Sequence, residues 1–77
     1  MRLFAFKNGT LRAVSDPADI EAGETVFRSD AIMSVGLEDR RHPMEFWVKL
    51  TDGTHFNLRS ERAELRVQEL VRAMAES

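Results

Sequence analysis

Asn8-Gly9 constrains this chain more than any other pair of residues in it. The pair separates two strand-like runs, residues 2–7 and 10–14. Asn-Gly is the preferred centre of a type I′ turn, where both residues take φ > 0. A two-residue loop here predicts a β-hairpin pairing Phe6 with Leu11, Phe4 with Ala13 and Leu3 with Val14. Phe4, Phe6, Leu11 and Ala13 then share the expected core face, and Lys7, Thr10 and Arg12 fall on the other. A chain that opens this way commits to antiparallel sheet, one face of which another element has to cover.

A second hairpin, over residues 45–59, turns at Thr51-Asp52-Gly53-Thr54. A two-residue loop at Asp52-Gly53 pairs Leu50 with His55, Val48 with Asn57 and Phe46 with Arg59. Every apolar residue then lies beside a polar one, and no core forms. A three-residue loop, with Gly53 in the left-handed region, shifts the pairing by one. Leu50 then faces Thr54, Val48 faces Phe56 and Phe46 faces Leu58. Hydrophobic patterning selects this second register.

Between the hairpins, Asp16 and Pro17 suit the start of a single helical turn or loop over residues 17–22, with Gly23 as its stop. Residues 24–28 and 31–38 read as strands. In the second, Ala31, Met33, Val35 and Leu37 alternate with Ile32, Ser34, Gly36 and Glu38, which predicts one apolar face and a bulge at Gly36. Residues 38–43 read as a charged loop. Ser60 is placed to cap a helix reaching to about Ala75, with Glu61 and Glu64 in its first turn. Its apolar stripe is Ala63, Val67, Leu70, Val71 and Met74, and Leu65 lies opposite. The expected core is Phe4, Phe6 and Leu11, then Met33, Val35 and Leu37, then Phe46, Val48, Leu50, Phe56 and Leu58, closed by Val67, Leu70, Val71 and Met74. These elements predict one α+β domain spanning residues 1–77, a four- or five-stranded antiparallel meander curled over one C-terminal helix.

Seventy-seven residues bury a small core, and small domains offset this with disulfides, a metal or a partner. There is no Cys, and His42 and His55 are the only His residues, so neither disulfides nor a metal site is expected. Good packing or self-association remains, with a homodimer as the expected partner state. A net charge of -2 supplies no global attraction to nucleic acid or anionic membranes. The five-residue apolar run near the N-terminus, ended by Lys7, is too short for a signal peptide, and no stretch suits a membrane span. The expected compartment is the cytoplasm.

The selected register sets Glu45, Trp47 and Lys49 opposite Arg59, Asn57 and His55 on the non-core face. An aromatic flanked by Asn, Lys, His and Arg suits a protein-binding or base-stacking platform. Alternatively, Trp47 lies under the N-terminal hairpin or a loop, with its indole N–H satisfied locally. Arg40, Arg41 and His42 form a short basic knot with the chemistry of phosphate contacts, but interleaved acids such as Glu38 and Asp39 favour a solvated, ion-paired surface. The candidate binding residues are therefore Trp47, Lys49, His55, Asn57, Arg59, Arg40 and Arg41. No HExxH, GxGxxG, P-loop or GxSxG pattern occurs, and no catalytic residue or cofactor is expected. His55, Asp52 and Ser60 do not make a credible triad, because Asp52 belongs to a turn and Ser60 to a helix cap.

In layout, the stretch DAIMSVGLEDRRHPMEFWVKLTDGTHFNLRSERAEL, residues 30–65, resembles two known groups. One is the opening hairpin-and-helix portion of LytTR-type DNA-binding domains, and the other is the very small flagellar accessory proteins of the SwrD type. The resemblance implies a strand, a charged loop, a hairpin and a helix in that order. It implies no site residues, since LytTR-type domains contact DNA largely through a later strand and loop.

Overall fold

Asn8 at φ 53° and Gly9 at φ 81° form the expected I′ turn in the computed structural model, which describes residues 2–76. The turn joins β1 (Leu3–Lys7) to β2 (Thr10–Val14) in the predicted register, Phe6 opposite Leu11 and Phe4 opposite Ala13. The chain then runs through a short 3₁₀ turn, Pro17–Asp19, capped by the Asp16 carboxylate accepting from the Ala18 N–H at 3.0 Å. Gly23, at φ 85°, redirects it into β3 (Thr25–Arg28). A second 3₁₀ turn, Ser29–Ala31, leads to β4 (Ile32–Asp39), β5 (His42–Leu50), β6 (His55–Arg59) and the closing helix α1 (Ala63–Glu76).

The α+β class is as expected, but the strands form two three-stranded antiparallel sheets rather than one meander. The orders are β2-β1-β3 and β4-β5-β6. β3 returns across β1 to pair on its free side, Phe4 opposite Phe27 and Phe6 opposite Thr25. A meander is the shortest route, but here burial of Phe27 outweighs it. Phe27 stacks on Phe4 at 5.8 Å and reaches Phe56 of the second sheet at 6.1 Å. Phe6 meets Phe56 at 4.4 Å, and these rings form the seam between the sheets. At the hairpin tip the Arg59 N–H donates to the Gly9 carbonyl at 2.6 Å.

The first sheet and α1 both pack onto one face of the second. They share a continuous core with Phe4, Leu11 and Phe27 on one side, Ala63, Leu70 and Ala73 on another, and Phe46, Val48, Leu50 and Leu58 between them. Ala63 and Ala73 are wholly buried, and such small residues let the helix axis approach the sheet closely. The buried stripe therefore runs through Ala73, and the expected core residue Val71 is turned aside, 50% exposed.

Further expectations fail for local reasons. The ladder between β4 and β5 passes from Ile32–Leu50 directly to Ser34–Lys49, so Met33 is an extra residue in a bulge. The alternation slips there: Ile32 is 7% exposed and inside, while Met33 is 50% exposed. Gly36, taken as the bulge, pairs regularly with Trp47. The expected loop at 38–43 is a tight turn at Arg40-Arg41, and Asp39 pairs with His42. That hairpin outruns the first turn of α1, so Leu37 stays 47% exposed beside Glu64 and Pro43. Ala13 faces the core side of β2 but remains exposed, because β6 reaches only the turn end of that hairpin.

The reverse face of the first sheet is closed by the loop at residues 15–24. Arg12 lies opposite Ala5, donates through Nε and Nη2 to the Glu24 carboxylate, and also reaches the Asp19 carbonyl at 2.6 Å. Glu24 in turn accepts the Glu21 N–H at 2.7 Å. Hydrogen bonding from the Arg12 guanidinium, helped by that backbone N–H, lowers the Glu24 pKa to about 2.

Candidate functional site

The hairpin of β5 and β6 adopts the three-residue loop that patterning selects. Gly53 has φ 93°, its N–H donates to the Leu50 carbonyl at 3.0 Å, and the Leu50 N–H donates to the Thr54 carbonyl at 2.8 Å. The Asp52 carboxylate accepts the Thr54 N–H at 2.9 Å, and hydrogen bonding from Thr54 depresses its pKa. The register is Glu45–Arg59, Trp47–Asn57 and Lys49–His55 on one face, Phe46–Leu58 and Val48–Phe56 on the other. The second set is the core face, covered by α1 and the first sheet. The first set is the open face: His55, Asn57 and Arg59 are exposed, while Glu45, Trp47 and Lys49 are half-buried.

The structure thus brings five of the seven candidates, Trp47, Lys49, His55, Asn57 and Arg59, onto one open face. The alternative placement of Trp47 beneath the N-terminal hairpin does not occur, since Phe6 and Phe27 contact Phe56 on the opposite side of the sheet. Arg40 and Arg41 separate at the β4–β5 turn. Arg41 adjoins His42, Glu45 and Arg59 at the end of the open face. Arg40 lines a different depression with Leu37, Pro43 and Glu64. The basic knot is therefore not one patch.

Trp47 is half-buried because its ring lies against β4. Gly36 lies opposite it in the ladder, and a Cβ on Gly36 would stand 2.7 Å from Trp47 Cζ2, 2.9 Å from Cε2 and 3.0 Å from Nε1. The indole rests directly on the backbone of β4, where only glycine leaves room. On its other side it stacks with the His55 ring, at 5.8 Å between centroids and 29° between planes. The indole is thus held by both Gly36 and His55 while Trp47 remains partly exposed. Gly36 was not singled out as part of the site, although its signal was available. Pairing Val35 with Val48 places Gly36 beside Trp47.

Glu38 is the second residue missed, and it shares a depression with Glu45, Asn57 and Arg59. Around its central aromatic the open face therefore carries two carboxylates, Glu38 and Glu45, and two fixed cations, Lys49 and Arg59, with Arg41 at its end. Chemically this is a surface for stacking and ion pairing. His55, Asp52 and Ser60 are occupied separately: His55 by Trp47, Asp52 by the Thr54 N–H, and Ser60 by accepting the Arg62 N–H at 3.1 Å ahead of α1. Among the described residues, no three His, Asp or Glu side chains are placed to hold a metal ion. No helix among them is long and apolar enough to cross a membrane.

Fold and face together define a small α+β protein with one sheet face covered and the other open around a seated tryptophan. No protein-family model, curated protein or solved structure matches the chain.

Proposed function

We propose that this protein is a non-catalytic interaction module that associates with a second copy of itself through the open face of β4, β5 and β6. The observation that carries this reading is Trp47, held by Gly36 and His55 and still partly exposed at the centre of that face. A rigid, half-exposed aromatic at the centre of a polar rim has the composition of a protein–protein contact. Self-association also suits a chain of this size, whose own core is small. A cysteine-free chain suits a reducing compartment, and we assign it to the cytoplasm.

Nucleic acid is the competing partner, since Trp47, Lys49, His55 and Arg59 form part of a base-stacking platform. Polyanion binding needs excess positive charge, and here Glu38 and Glu45 offset Lys49 and Arg59 on the same face. Protein is therefore favoured over nucleic acid.

Trp47 is the only Trp and there is no Tyr, so its fluorescence reports this site alone. Emission and iodide quenching are recorded over a wide dilution series. Self-association predicts blue-shifted, protected emission when concentrated and red-shifted, quenchable emission when dilute. Signals unchanged across the series, together with salt-dependent retention on single-stranded DNA, would overturn the reading in favour of nucleic acid.

A further inference from the structure

The open face is a grid of three rows across three strands. One end row is Glu45 and Arg59, with Glu38 in the depression beside them; the middle is Gly36, Trp47 and Asn57, and the other end is Ser34, Lys49 and His55. Acid and base are thus segregated along β5, with Glu45 two residues before Trp47 and Lys49 two residues after it. At about 3.3 Å per residue, Glu45 and Lys49 stand about 13 Å apart with the indole midway.

Resting on the reading of this face as self-associating, we infer that two copies stack face to face about a two-fold axis running across the strands through the Trp47 row. This rotation reverses strand direction and keeps each strand over its counterpart. It places Glu45 over Lys49 of the second copy and Lys49 over Glu45 of the second copy, two opposite-charge pairs from one operation. The indoles, both displaced over β4 by their contact with Gly36, meet at the axis as an offset stack. Glu38 falls over Ser34 and Arg59 over His55, two pairings that add no opposite charge.

The other two-fold stack, with its axis along the strands, is disfavoured by the same grid. It sets Glu45 on Glu45 and Lys49 on Lys49 at the centre, and gains only Glu38 over Arg59 at the rim. Like charges in direct opposition are a strong penalty across an interface, so the chain selects the antiparallel stack. Three strands spaced about 4.8 Å apart over five residues make a patch well under the ~800 Å² per partner of stable complexes. The pair therefore dissociates on dilution.

The test is a charge exchange read by sedimentation equilibrium, with circular dichroism confirming that each variant is folded. Glu45→Lys alone sets lysine against lysine, and Lys49→Glu alone sets glutamate against glutamate. Each is expected to dimerise at least about tenfold more weakly than the wild type. An equimolar mixture of the two restores dimers, because a Glu45→Lys copy and a Lys49→Glu copy complement each other at both pairs. That recovery also shows both variants to be folded. Single variants that dimerise like the wild type, or a mixture that does not recover, overturn the arrangement. Trp47→Ser separates this from failure of the face itself. If Trp47→Ser abolishes dimers while the charge variants keep them, the face stands and the stacking register is wrong. If Trp47→Ser leaves dimers intact, the face is not the interface, and both conclusions fall.

Discussion

Gly36→Ala isolates the contact that seats the tryptophan. Gly36 is outside the positive-φ region, so its backbone accepts alanine without strain. In open space the change would stabilise β4 by about 0.5–1 kcal/mol, through the conformational freedom glycine loses on folding. The new Cβ instead meets the indole at 2.7–3.0 Å, and the ring must lift several tenths of an ångström to reach ordinary contact. Overpacking of this kind costs about 1–3 kcal/mol, and the net expectation is a loss of about 1–2 kcal/mol. In a chain of this length that lowers Tm by about 5–10 °C. The assay is urea and thermal unfolding by circular dichroism, at concentrations low enough that association does not contribute. In a Trp47→Val background the obstacle is gone, and the same Gly36→Ala change should stabilise by about 0.5–1 kcal/mol. The sign reversal is the diagnostic. Stabilisation of similar size in both backgrounds would refute the reasoning, since the indole would then not be resting on Gly36.

Two further predictions concern the frame around that face. Glu24 titrates near 2 in the folded protein against an ordinary 4.5, so its contribution to stability is complete above about pH 4.5 and is lost as pH falls towards 2. Acid titration followed by circular dichroism should show this loss, and Glu24→Gln should be less stable than the wild type near neutrality and converge with it as pH falls through that window. At the β4 bulge, Ile32→Lys should cost more than about 3 kcal/mol by burying a charge, whereas Met33→Lys should stay within about 0.5–1 kcal/mol. Urea midpoints in the reverse order would place the bulge elsewhere.

Both hairpins were readable from the chain alone because turn chemistry and alternation act over a few residues. Asn8-Gly9 admits one turn type, and around Gly53 only one register keeps Phe46, Val48, Phe56 and Leu58 together. The open face followed from that register, which is why five candidate residues converge. What escaped depends on distant partners. β3 crosses to the far side of β1 because Phe27 finds Phe4 and Phe56, a preference no local pattern announces. β4 alternates cleanly in sequence, yet one extra residue at Met33 moves Ile32 inward, and an apolar run of this kind carries no mark of where it slips. Val71 sits at helical spacing for the core, but the depth at which Ala63 and Ala73 let α1 settle turns it outward.

The outer edge of β4 has no strand beside it among the described residues, and its irregularities bear on how copies of this protein meet. An unpaired edge is a template for adding further chains, and a long flat one leads to fibres. Here the regular stretch opposite β5 covers only residues 34–37. The bulge at Met33 bounds it on one side, and the register shift before Asp39, beside the charged Glu38, bounds it on the other. Four residues are a poor template for strand-by-strand growth, whereas contact through the sheet face about a two-fold axis uses itself up in a single pair. If the proposed two-fold contact forms, crowded copies should therefore pair and stop there.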